Sequence, residues 1–591
     1  MRSRTTLLVL LLAFAGLAIV ALPAGAASDT TEVSSQEDDL IQECAAEPPA
    51  DFSDPAGGNE VIGWVDGYWY SEPLDINVTD GLNQDELVTL SARTAARFEA
   101  MRCIAATEGV PPVDIQTRDE FQESQSVFYE NIPQKDRLAD NAIFETMLMI
   151  SSEENSSDLR EANRGEVVGG FYNFEQDRIV VVSDTPESLQ IDEEVLAHEI
   201  GHAVQDQQFN LSQYERPTTD IDKGILGLIE GDVDLIEYRY LQACDEGRWE
   251  QPCATQESDD EGDDSGDLPS WGLAFIQQLL DEEFNGDWEQ VNAMYDDPPR
   301  SALYSVFPET YEEVELADVE VPDRSTDDWE RITFNGSVNY DTVGVASISA
   351  MFKTPTYETG GNFEGIYAIE DILNTGPSGA IDEFKPLNYD HPETEGWRDD
   401  KIYTYRNDAN ETGAVWKLEW TSEEAMQPFI DGYEELVNFR GGEPVEGYEY
   451  TYTFGEDSEY DMVLTLVPDG NQVTIVKAPS VDELTNVHDV DLVESENNTD
   501  DNPDDTNDGT DNSDDTDDSD DTDSSDSTDG TDDGDNSTDD SDGDSDDRDS
   551  GTGNDSNDDS DDSADDGGAG FGVAAGLLAA LLVTLVGVRR R

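Results

Sequence analysis

The sequence predicts an α+β chain in two globular parts, residues 27–324 and a smaller α+β part at 325–495. Three observations support this. Residues 85–109 and 136–150 carry apolar side chains at helical spacing, and two further helices are expected, one containing 193–209 and a second, long one at 218–244. Between these pairs, "EVVGGFYNFEQDRIVVVSD" (166–184) reads as two β-rich runs around "NFEQD", a hairpin. Beyond residue 325, the alternating runs "KIYTYRN", "AVWKLEWTS" and "YEYTYTFG" flank the amphipathic stretch "EEAMQPFIDGYEELVNF".

The N-terminus has Arg2 and Arg4, an apolar run from Leu7 to Leu22, and Ala24-Gly25-Ala26. These are the three regions of a signal peptide, assigned to residues 1–26; an uncleaved anchor is the alternative. "ESDDEGDDSGD" (257–267) is a charged surface insertion. Residues 496–568 are almost wholly Asp, Ser, Thr, Asn and Gly, with no aromatic residue. Such a segment buries too little apolar surface to offset its ordering entropy, so a disordered, self-repelling acidic stalk is expected. Neutral-coil statistics put its ends roughly 45 Å apart, and charge extends it further. Fragments such as "DDTNDGTD" resemble calcium loops, but from Asn497 to Gly568 there is no glutamate to close one. Residues 569–591 contain an apolar stretch from Gly570 to Val588 followed by three arginines. As a helix it spans roughly 28 Å, enough for a C-terminal transmembrane helix, and the arginines place its end in the cytoplasm.

The composition excludes some partners. The chain has 140 Asp plus Glu against 30 Lys plus Arg, a formal charge of −110. That field repels nucleic acid and anionic membranes and suits solubility in concentrated salt, where screening removes the self-repulsion. The four cysteines, Cys44, Cys103, Cys244 and Cys253, lack the short spacing of a zinc site. Outside the cell they favour two disulfides, and of three possible pairings Cys44–Cys103 with Cys244–Cys253 is preferred. Sequons such as those at Asn77, Asn155 and Asn335 permit glycosylation.

Two of only four histidines, His198 and His202, stand one helical turn apart around Glu199. At i and i+4 their imidazoles share a helix face and can aim at one point, as a zinc ion requires. Glu199, beside the first ligand, can hold a water without binding the metal. This is the H-E-x-x-H arrangement, and so few histidines make a chance occurrence rare. A third ligand is needed. The next helix offers Glu230, Asp234 and Glu237 on one stripe, of which Glu230 is preferred once the two helices pack antiparallel.

"HEIGH" followed by "EGDVD" resembles the gluzincins, the thermolysin-like metallopeptidases. That resemblance implies a zincin-like catalytic domain: a β-hairpin with an edge strand, an active-site helix and a second ligand helix. It also implies Zn2+ bound by His198, His202 and Glu230, with Asp234 steadying His198 and Glu199 as general base. "HEIGHAVQDQQFNL", "LIEGDVDLIEYRY" and "PPRSALYSVFPETY" are similar to a group of secreted and surface metallopeptidase-like proteins, across roughly residues 165 to 315. Members of that group tend to carry histidine near "FPETY", where this chain has Phe307. The C-terminus "AGFGVAAGLLAALLVTLVGVRRR" resembles the PGF-CTERM sorting signal of haloarchaeal surface proteins, with Ala569 in place of the proline. It implies a membrane anchor, as a helix or as an archaeosortase-attached lipid.

The expected function is hydrolysis of a peptide or protein substrate, with an edge strand lent to an extended peptide. A non-catalytic envelope protein that keeps the fold for adhesion is the alternative. His391, Arg300, Tyr238 and Tyr240 are candidates for stabilising the oxyanion, each more readily explained as structural, and His488 is expected to be solvated.

Overall fold

The computed structural model describes residues 44–494, apart from 78–80, 250, 255–270, 312, 335–337, 360–365, 377–378, 383 and 456–457. The expected signal peptide, the insertion at 257–267, the stalk and the C-terminal helix lie mostly or wholly outside the described residues. Among the described residues no helix is long and apolar enough to cross a membrane.

The architecture is α+β. A short hairpin, β1 (Trp64–Val65) and β2 (Tyr68–Trp69), leads into helix α1 (Gln84–Arg102). The start of α1 is set by a reciprocal cap: Asn83 accepts from the backbone of Asp85 and Glu86, and Glu86 accepts from the backbone of Asn83. It ends at Cys103, in the left-handed conformation, which is bonded to Cys44. Strand β3 (Val113–Thr117) follows, then helices α2 (Arg118–Glu130), α3 (Gln134–Thr146) and α4 (Ser156–Val167). The hairpin is formed by β4 (Gly170–Asn173) and β5 (Arg178–Ser183).

These strands form a three-stranded sheet ordered β3-β5-β4, parallel between β3 and β5 and antiparallel between β5 and β4. The unbroken apolar run of β5 has a simple cause: both faces of the strand are covered. Val180 and Val182 pack with Phe121 of α2, while Ile179 and Val181 join the main helical core. Strand β4 is left at the edge.

Helix α5 (Glu193–Phe209) and the 27-residue α6 (Thr219–Asp245) come next, followed by α7 (Trp271–Gln278), α8 (Trp288–Met294) and α9 (Ala302–Val306). Glycines decide how closely these helices approach. A Cβ on Gly201 of α5 would lie 2.7 Å from the Phe98 ring and 3.0 Å from both Val233 methyls of α6. A Cβ on Gly231 of α6 would lie 2.2 Å from the carbonyl oxygen of Gly272 in α7. Each helical glycine costs about 1 kcal/mol relative to alanine, and here the loss is offset by close packing that alanine forbids, on side chains at Gly201 and on backbone at Gly231.

The rest of the chain comprises β6 (Glu330–Arg331), α10 (Gly344–Glu358), α11 (Ile369–Ile372), β7 (Trp397–Arg406), β8 (Thr412–Trp420), α12 (Glu423–Phe439), β9 (Gly442–Pro444), β10 (Thr451–Phe454), β11 (Val463–Asp469), β12 (Gln472–Ala478) and α13 (Val481–Val487). Its strands form an antiparallel sheet ordered β6-β7-β8-β12-β11-β10-β9. The tightly turned pair β11–β12, around Gly470 and Asn471, was not among the elements the sequence suggested. One face of the sheet packs on α10 and α12, and the same core takes in residues 144–150 and 302–306 from the N-terminal side. Polar ties join the two parts: Thr219 bonds Asp341 through backbone and hydroxyl, and the Arg440 guanidinium donates to the Leu148 carbonyl at 2.9 Å.

Gly201→Ala and Gly231→Ala should each destabilise the fold by about 1–3 kcal/mol through overpacking. Gly455→Ala, where no atom lies within 4 Å of the added Cβ, should stay within about 0.5 kcal/mol of wild type. Denaturant titration in molar salt checks the ranking.

Candidate metal centre

Two buried polar clusters hold α1, α5 and α6 together on either side of the histidine pair. At the start of α5 the carboxylate of Glu193, wholly buried, accepts from Arg97 at 2.7 Å, Arg93 at 3.0 Å, the Tyr240 hydroxyl at 2.7 Å and the Ala254 backbone at 2.9 Å. Burial alone would raise its pKa, but Arg97 and Arg93 hold it below the ordinary value. Ala254 follows Cys253, whose disulfide to Cys244 closes a short loop at the end of α6. Both disulfides are the pair the sequence favoured. Past His202, Arg102 of α1 grips Asp232 of α6 at 2.5 and 3.0 Å, and Tyr295 and Gln205 join the same carboxylate. Removing one partner from such a buried pair typically costs about 3–5 kcal/mol, so both clusters fix the helices firmly.

Between them, three ligand atoms from two helices converge. The Nε2 atoms of His198 and His202 are 3.0 Å apart, and Oε2 of Glu230 lies 3.5 Å from the first and 3.2 Å from the second. A four-coordinate cation with bonds of about 2.0–2.1 Å has ligand–ligand edges of roughly 3.3 Å, so this triangle is one face of its tetrahedron. Two imidazole nitrogens and one carboxylate oxygen are a donor set that can hold a metal ion. The packing of Gly201 against Val233 sets the spacing.

Behind this triangle, Nδ1 of His198 faces two carboxylates, Glu237 at 2.9 Å and Asp234 at 3.4 Å. Asp234 therefore lies where the resemblance implies, but the closer partner is Glu237, one turn further along α6. These two acids and His198 form a second group of possible ligands. A single N–H can be donated there, and ligand histidines commonly use it this way. Nδ1 of His202 faces Oε1 of Gln205 at 3.0 Å, a partner the sequence reading missed.

The electrostatics favour positive charge at this point. Burial lowers the His198 pKa, but Glu237 and Glu230 raise it well above the ordinary imidazole value; Glu230 raises His202 in the same way. Burial works against ionisation of Glu230, yet His202 and His198 hold it well below the usual carboxylate range. Glu199 is outside the ligand triangle. Burial raises its carboxyl above the ordinary value, opposed by His198 and His202, and the Tyr172 backbone N–H of edge strand β4 bonds to it.

The oxyanion candidates go elsewhere. Tyr240 is spent on Glu193, and Arg300 reaches the Glu215 carbonyl at 3.3 Å. His391 is buried and stacked on Tyr367, with ring centroids 4.0 Å apart. Tyr238 packs against Phe384, which brings a loop of the C-terminal part beside α6. Phe307 packs against the sheet core. His488, expected in solvent, is 4% exposed: it caps the end of α13, beside the segment that carries Asp323, Arg324 and Arg331.

A model of a domain of unknown function (DUF8575) matches residues 330–488. That stretch holds the seven-stranded sheet with α10–α13 and none of the convergent ligands. No curated protein and no solved structure matches the chain.

Burial lowers His391 and His488 to about 4, helped by Lys353 and by Arg324 respectively. Both are neutral in the fold but charged when unfolded below the ordinary value near 6.5. Their contribution is thus complete above pH 6.5 and lost as pH falls toward 4. A His391→Gln, His488→Gln variant should be less stable than wild type at pH 7.5, with the gap narrowing between pH 6.5 and 4. Denaturant midpoints across that range check this; a constant gap would contradict it.

Proposed function

We propose that the protein is an exported zinc metallopeptidase of gluzincin type, held at the cell surface by its C-terminus. The observation that carries this reading is the Nε2, Nε2, Oε2 triangle with an unliganded carboxylate, Glu199, on the same helix turn. A structural zinc site would need a fourth protein ligand and no neighbouring base, whereas a catalytic one keeps three ligands and an open position. Glu237 and Asp234 behind His198 add the outer support that ligand histidines usually have. The zincin reading of the fold draws support from the order of elements: edge strand β4, histidine helix α5, then α6 with the third ligand. Two disulfides fit an oxidising compartment.

The chemistry supplied by a bound zinc would be polarisation of the scissile carbonyl and a lowered pKa, roughly 7, for its water. The chain's own residues do the rest. Glu199 accepts a proton from the attacking water on a carboxylate oxygen and returns it to the leaving amine. His198, His202 and Glu230 would hold the ion through Nε2, Nε2 and a carboxylate oxygen. Strand β4 offers its open edge to an extended peptide, which would then lie against Glu199. The acidic surface stays soluble in molar salt, where charge repulsion is screened within about 3 Å.

The wild-type chain in molar salt should bind about one zinc, in line with one three-ligand site. Glu199→Gln should keep the metal and lose peptide cleavage by about 100-fold or more. Metal analysis with digestion of a denatured protein substrate checks both. If wild type and variant cleave equally poorly across salt and pH, the chain is a non-catalytic surface protein that retains the site.

A further inference from the structure

Gln205 of α5 is fully buried, three residues past His202. Its Nε2 lies 2.9 Å from the Ile229 carbonyl oxygen and 2.8 Å from the Tyr295 hydroxyl. A carbonyl only accepts, so the NH2 end of the amide must face it; the flipped amide would set two acceptors against each other. Tyr295 in turn donates to Asp232 at 2.7 Å, and Asp232 is gripped by Arg102. The amide orientation is therefore fixed from behind, and Oε1 must point at Nδ1 of His202, 3.0 Å away. An amide oxygen cannot donate. Nδ1 must carry the hydrogen, which leaves the lone pair of a neutral His202 on Nε2, the atom facing Glu230 and His198.

We propose that Gln205 is a positioning residue of the metal centre: anchored through Ile229, Tyr295 and the Arg102–Asp232 pair, its amide oxygen selects the His202 tautomer that can bind a cation. The two ligand histidines are thus held differently, His198 by carboxylates and His202 by a neutral amide at the end of a buried ion pair. This rests on the metal-binding half of the function proposed above and not on peptide hydrolysis. Partners of this kind typically change metal affinity by roughly 10- to 100-fold.

The test uses the full chain in molar salt as wild type, Gln205→Leu and Tyr295→Phe, with zinc alone as the ligand. Chelator competition should show Gln205→Leu binding zinc roughly 10- to 100-fold more weakly, and Tyr295→Phe should lose less. Long-range 1H–15N spectra of histidine-labelled wild type, metal-free above the imidazole titration and again zinc-loaded, should place the His202 proton on Nδ1. In metal-free Gln205→Leu both tautomers should appear. The proposal is overturned if wild-type His202 carries its proton on Nε2. It is also overturned if Gln205→Leu melts like wild type and binds zinc as tightly. Should Gln205→Leu fail to fold, the wild-type spectrum decides alone. A wild type that binds no zinc would overturn this proposal together with the enzyme reading, whereas one that binds zinc with the Nδ1 proton in place but cleaves no peptide would refute the enzyme reading and support this one.

Discussion

The close passage of α5 over α6 at Gly201 and Val233 is the constraint from which the site follows. A helix pair normally keeps its axes about 8–10 Å apart, set by the side chains at the crossing. With only a hydrogen at position 201, the side chains of His198 and His202 reach across to Glu230 instead of stopping short of it. Gly231, on the opposite side of α6, does the same for α7. Helix α6 is thereby squeezed between two neighbours, with its acidic stripe as the part left open. Cooperativity in this region is expected to be high, because the contacts that position the ligands are also the contacts that hold the helical core.

Charge is used in two ways. Over most of the surface, carboxylates are numerous and interchangeable, and salt governs their mutual repulsion. Inside, several charged groups are paired one to one or one to two: Glu193 with Arg93 and Arg97, Asp232 with Arg102, and Glu145 with Lys477. These pairs are shielded from bulk salt, so they locate helices equally well in dilute and concentrated solution. The cluster at the histidines belongs to neither group. Its carboxylates outnumber the imidazoles and face them from one side, which leaves an excess of negative charge that a divalent cation would offset.

Much of this was legible in the residues. The helix expected to contain 193–209 is α5, and the alternation in "KIYTYRN" and "AVWKLEWTS" marked strands β7 and β8. The triad His198, His202 and Glu230 could be read because histidine is scarce and the helical repeat is strict. Glu237 was on the page as part of the stripe, but one turn of helix separates it from Asp234, and only the angle between α5 and α6 decides which reaches Nδ1. Gln205 gave no signal beyond its place at i+3 from a histidine. Its partners Tyr295 and Asp232 are distant in sequence, and the geometry that joins them is tertiary. His488 was misjudged for a related reason: nearness to a polar tract says nothing about what packs over it.

The most direct test of the account is zinc K-edge absorption on the full-length chain loaded with one equivalent of zinc in molar salt. The expected spectrum has two imidazoles and a carboxylate oxygen in the inner shell at about 2.0–2.2 Å, with a light fourth ligand. A shell of oxygen alone, with no imidazole scattering, would contradict it: the two helices would then meet for packing and not for a metal.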